Sequence, residues 1–229
     1  MSFEIAGLQK TTFIDYPEKI ACIVFTQGCN FSCGYCHNPE LFEHKEPALL
    51  VPAFFEFLKT RKGKLDGVVI TGGEPTLHKE LKEFIKQIKS LGFLVKLDTN
   101  GTNPELLKEL FDENLLDFVA MDIKAPFNKY EQITRTNVNL EKIKKSIDLI
   151  INGEVNYEFR TTVVKSQLSL EDFKQISELI KGAKKYYLQK FLPTKTLDEK
   201  MMCETSYTDE EFAEICNLFK NNVEFVDFR

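Results

Sequence analysis

Short apolar runs alternate with stretches of helical periodicity along most of the chain, and this alternation constrains the fold more than any other feature. Residues 21–25, 67–71, 93–97, 118–121, 155–164 and 185–192 read as strands, and residues 52–62, 79–91, 104–111, 140–151, 170–180 and 209–219 as helices. In the first helix Phe54, Phe55 and Leu58 make an apolar face behind Pro52, and in the second Leu81, Phe84, Ile85 and Ile88 do the same. Strands alternating with helices at this interval predict a parallel sheet with right-handed crossovers. About six such units are too few for a complete eight-unit barrel. The periodicity alone does not separate an open barrel from a doubly wound sheet. Residues 3–15 add a hairpin or edge strand, and residues 223–226 a closing strand.

At 229 residues, 43% hydrophobic and 28% charged, the chain suits one domain over residues 1–229, with an N-terminal extension of about 18 residues. A net charge of -5, with lysines scattered among glutamates, argues against a nucleic-acid-binding face. No apolar run approaches the roughly 20 residues that span a bilayer, and no secretory leader is evident. A cytoplasmic protein without a membrane partner is expected, in a compartment that keeps thiols reduced.

The chemically unusual residues fall at the carboxyl ends of successive strands, where parallel α/β folds place their ligand-binding loops. After the first core strand, Cys29, Cys33 and Cys36 are spaced CxxxCxxC. Structural zinc sites close with four protein ligands and ordinary electron-transfer clusters take four cysteines, so three clustered thiolates suggest a cluster with one iron open to substrate. The alternative is a zinc knuckle completed by His37, His44 or a distant cysteine. Cys22, Cys203 and Cys216 form no second set and read as buried or surface thiols.

After the next strand comes Thr71-Gly72-Gly73-Glu74-Pro75. Paired glycines let a backbone approach a ligand closely, and the carboxylate can hold an ammonium group. The plainer reading is a tight turn with an exposed Glu74. Asp98 and Asn100 follow the third strand, and Asp122 and Lys124 end the fourth. The acids and the amide could equally cap the following helices. Arg160, on a largely apolar strand, requires a buried anion.

The CxxxCxxC spacing with Tyr35 before the third cysteine resembles the signature of radical S-adenosylmethionine (SAM) enzymes. The runs Ile14-Asp15-Tyr16-Pro17, Gly28-Cys29-Asn30-Phe31 and Cys36-His37-Asn38-Pro39-Glu40-Leu41 resemble activating proteins of anaerobic ribonucleoside-triphosphate reductases. The resemblance implies a partial (β/α)6 TIM-like barrel and a 4Fe-4S cluster on Cys29, Cys33 and Cys36. The amino and carboxylate groups of SAM would chelate the fourth iron. It further implies that Gly72, Gly73 and Glu74 bind the amino group, that Lys124 pairs with the carboxylate, and that Arg160, Tyr35, Asn38 and Asn100 contact the cofactor. Asp98 with Asp122 would help build a nearby monovalent-cation site. Lys195 stands where a related activator has a cofactor-contacting histidine, so that role is not carried over. The implied partners are a glycyl-radical enzyme, the anaerobic reductase first, and a flavodoxin- or ferredoxin-type electron donor. The rivals are activation of pyruvate formate-lyase, action on a small molecule, and a zinc adaptor without catalysis.

Overall fold

The computed structural model describes residues 3–42 and 49–229. Two compact units are distinguished within it: the first comprises Met1–Asn30, Glu40–Thr99 and Asn103–Val119, the second Phe31–Pro39, Asn100–Thr102 and Ala120–Arg229. Eight strands form one sheet in chain order.

In the first unit β1 (Ile5–Thr12) pairs antiparallel with β2 (Ala21–Thr26). Tyr16, in the turn between them, is a core side chain packed with Ala21, Ile23, Val69 and Phe118. β2 then pairs in parallel with β3 (Gly67–Gly72), and β3 with β4 (Leu94–Thr99). Their interior positions are almost wholly buried, which is why they read as continuous apolar runs. The crossover helices are α1 (Val51–Lys59), α2 (Leu81–Ser90) and α3 (Pro104–Asp112). Phe84 of α2 meets Phe54 and Phe55 of α1 with ring centroids 5.2 and 5.3 Å apart. Burying an aromatic side chain of this kind contributes about 1.5–3 kcal/mol. Asn103 caps α3 by accepting from Leu106 N–H.

β5 (Phe118–Asp122) leads into a short helix, α4 (Tyr130–Thr134), which the periodicity did not reveal. It is one turn long and too short for an apolar stripe to show. The second unit continues with α5 (Leu140–Ile151), β6 (Asn156–Val163), α6 (Leu170–Leu179), β7 (Ala183–Lys190), α7 (Asp209–Asn217) and β8 (Val223–Phe228). β6, β7 and β8 pair in parallel. Capping boxes start α6, with Ser169 and Asp172, and α7, with Thr208 and Glu211. The six strand-helix units run from β2 with α1 to β7 with α7, and β8 is the closing strand. No helix among the described residues is long and apolar enough to cross a membrane.

Candidate functional site

In the first unit, the chain leaves β3 through Gly72 and Gly73 and enters a single 3-10 turn, Pro75–Leu77. This turn is bonded to the start of the cysteine segment: Gly73 N–H donates to Thr26 O at 3.0 Å and Glu74 N–H to Gly28 O at 2.8 Å. A β-carbon on Gly72, whose φ is +116°, would lie 2.3 Å from Thr26 N, and one on Gly73 would lie 1.8 Å from Gly28 O. Both positions therefore have room for glycine alone. The space a side chain would take is filled by the chain's own backbone.

Glu74 is fully buried, so it is not the exposed turn residue of the plainer reading. Its Oε1 accepts from Thr76 N–H at 3.1 Å, from the Thr76 hydroxyl, and from the Thr99 hydroxyl at 2.8 Å. A buried carboxylate needs such donors, because desolvation without them is costly. Thr76 and Thr99 were not picked out from the sequence; a threonine near a strand end carries no signal of its own. Buried His78 was also missed, and its Nε2 lies 2.9 Å from Gln27 O, just before Gly28. Asp98 accepts from the ammonium of Lys96, itself only 2% exposed. Lys96 was legible in principle, since a lysine inside the apolar run 94–97 demands an anion as Arg160 does. A monovalent cation at Asp98 would have to share that carboxylate with Lys96.

The second unit carries Cys33, buried, and Cys36, half-buried. Cys29, in the first unit, is half-buried. Burial pushes the Cys33 thiol up, and the charge of Lys124 offsets only part of that rise. The Tyr35 hydroxyl is buried without a hydrogen bond of normal geometry, close enough to Cys33 to influence its thiol. At the end of β5, Asp122 accepts from Lys124 Nζ and from Arg160 Nε, each at 2.9 Å. Burial alone would raise the Asp122 carboxyl, but the charges of Arg160 and Lys124 outweigh it and hold it well below the usual carboxylate range. Burial likewise works against the charge on Lys124, while Asp122, Tyr35 and Cys33 push its pKa well up. The anion that Arg160 was expected to need is thus Asp122.

Asn100 is buried and its Oδ1 accepts from Thr102 N–H and from the Thr102 hydroxyl, at 3.1 and 2.7 Å. It shapes a turn and does not cap α3, a task that falls to Asn103. Asn38 is half-buried and Lys195 exposed. The exposed His37 ring stacks on Phe191 and has its Nε2 2.9 Å from Leu192 O, while His44 lies outside the described residues. Burial raises Cys22 to about 12 and Cys216 to about 11, and Cys203 is exposed.

A family model described as the radical SAM superfamily matches residues 23–180. The chain belongs to the radical SAM superfamily. Membership implies a 4Fe-4S cluster and SAM as cofactors, and it displaces the zinc-adaptor reading. A provisionally named glycyl-radical enzyme activating enzyme of Methanocaldococcus jannaschii is 36% identical over 98% of this chain and 95% of its own length. The pyruvate formate-lyase-activating enzyme of Staphylococcus epidermidis is 29% identical over 55% of each chain. Among solved structures, Streptococcus suis SuiB bound to S-adenosylmethionine superposes with a TM-score of 0.68 at 12% identity, covering 88% of this chain and 48% of that one. That likeness concerns the radical SAM fold. The residues fit the implied cofactors: a buried carboxylate in the first unit suits an ammonium group. In the second unit, two cations about one carboxylate beside a buried thiol suit a carboxylate ligand and a thiolate-bound cluster.

Proposed function

We propose that this protein installs a glycyl radical on an anaerobic ribonucleoside-triphosphate reductase. The reading is carried by the relative that is 36% identical over 98% of the chain and named for glycyl-radical enzyme activation. The runs Ile14-Asp15-Tyr16-Pro17 and Asn38-Pro39-Glu40-Leu41 favour the reductase over pyruvate formate-lyase. The whole chain acts as one radical SAM domain, in the cytoplasm.

Cys29, Cys33 and Cys36 hold the cluster, Glu74 receives the SAM ammonium, and Lys124 and Arg160 face its carboxylate. Tyr35, Asn38, Gly72, Gly73, Asp98, Asn100 and Asp122 complete the cofactor-binding set. Held by Cys29, Cys33 and Cys36, a reduced cluster would supply the one electron that reductive cleavage of SAM to methionine requires, and the 5'-deoxyadenosyl group so released would end as 5'-deoxyadenosine with the hydrogen atom of the partner's glycine. The chain's own residues do positional work. Thr76 and Thr99 fix the Glu74 carboxylate before any ligand arrives, and Asp122 holds the Lys124 and Arg160 side chains in register. No step requires a general acid or base.

The test is anaerobic incubation of reconstituted protein with SAM, a flavodoxin- or ferredoxin-type donor and a candidate partner, read by electron paramagnetic resonance. A glycyl-radical signal is expected with the reductase and none with pyruvate formate-lyase. The reverse pattern reassigns the partner, and 5'-deoxyadenosine release without a radical on either protein points to a small-molecule substrate. Wild-type protein should take up about four irons, and Cys33→Ala should lose the cluster.

A further inference from the structure

The cysteine segment of the second unit is held in place from outside itself. Ser32 N–H donates to Thr134 O at 2.8 Å, at the end of α4. From the loop after β7, Leu197 N–H donates to Cys36 O and Asp198 N–H to Gly34 O, both at 3.0 Å. Arg135 connects the two supports. It follows α4, its guanidinium pairs with the Asp198 carboxylate, and a β-carbon on Gly34 would lie 2.6 Å from its Nη2 and 2.8 Å from its Cζ.

Two oddities of the sequence find one cause here. Gly34 does not have a positive φ, so its backbone does not demand glycine. The space a side chain would take there is occupied by the guanidinium, which a β-carbon would push off the segment. Arg135 does have a positive φ, 55°, at a helix C-cap where glycine is the comfortable residue. A branched cation in that strained place is explained by the use of its side chain.

We propose that Arg135, Gly34 and Asp198 form a latch that sets the conformation of the Cys33–Cys36 segment, Arg135 being a positioning residue for the cluster. The inference rests on the assignment of Cys29, Cys33 and Cys36 as cluster ligands. Asp198 does two jobs in it: its N–H bonds the segment directly, and its carboxylate keeps the guanidinium over Gly34. The loop after β7 is tied to the same segment a third time, through His37 and Leu192 O.

The deciding variant is Arg135→Gly, which relaxes the left-handed residue while deleting the guanidinium. Its melting temperature should hold or rise, as glycine is unstrained there. In the reconstituted holoprotein, iron release to a ferrous chelator should accelerate about tenfold, the lower end of what losing an outer-shell partner costs a metal site. The electron paramagnetic resonance signal of the reduced cluster should change as well. Asp198→Asn should act in the same direction, and combining the two should add nothing further. A wild-type release rate and an unchanged signal in Arg135→Gly would overturn the latch, as would full additivity of the two substitutions. Failure of the wild-type protein to take up a cluster would instead remove the ligand assignment.

Discussion

At the end of β3 the backbone of Gly72 and Gly73 lies against Thr26 and Gly28, and the buried Glu74 is held by threonine hydroxyls. At the end of β5 the carboxylate of Asp122 is gripped by the cations of Lys124 and Arg160. One region is built by shape and by uncharged donors around a single buried carboxylate, the other by paired opposite charges. The first should therefore fail when volume changes and be indifferent to charge screening. The second should tolerate small changes of volume and fail when its charges are removed.

The largest effect is expected from Gly73→Val. The added β-carbon would meet a backbone carbonyl, which cannot turn aside as a side-chain tip can. Overpacking of this kind costs about 3 kcal/mol or more. Urea denaturation should show the loss, and calorimetric titration should show no SAM binding. A Gly73→Val protein of native stability would show that the end of β3 is not held by shape.

Asp122→Asn comes next. It leaves Lys124 and Arg160 facing one another without their common anion, in a partly screened setting, and should cost about 2–3 kcal/mol. The cost should depend on pH with a definite sign. The folded carboxyl is held below its ordinary value, so its contribution is present above about pH 4, the unfolded value. It is lost as pH falls further toward the folded value. The stability gap between wild type and Asp122→Asn should thus be constant from about pH 7 to 5 and shrink in stronger acid. A gap that widens on acidification would show that the two cations do not control this carboxylate.

Thr99→Val should have the smallest effect, about 1–2 kcal/mol, by removing one donor from a carboxylate that retains Thr76. Thr99→Ser should recover most of it, and moderate salt should leave the difference unchanged. A salt-dependent difference would mean that the first region also works by charge.

How much of this was legible follows from the same division. Charge in an apolar setting announces itself, and so Asp122, Lys124 and Arg160 could be read from the sequence, as Lys96 could have been. The strand-helix order was likewise readable, because β2 to β5 are buried along almost their whole length and each long helix on one face. α4 was not, being a single turn. Nor was the clasp on Glu74, since Thr99 lies 25 residues away from it in the chain and only folding brings the hydroxyl to the carboxylate. Gly73 was picked out for its type, but the atom that requires it, Gly28 O, is 45 positions earlier and leaves no local trace.

Burial and the raised pKa values of Cys22 and Cys216 bear on how the protein withstands handling in air. A thiol attacks, alkylates and oxidises as its thiolate, so at neutral pH these two are chemically silent. Cys203 is exposed, so oxidant and a second molecule can reach it. Of the three cysteines outside the CxxxCxxC segment, it is the one through which two molecules would become joined by a disulfide on storage, and Cys203→Ser is the substitution that would keep such preparations monodisperse.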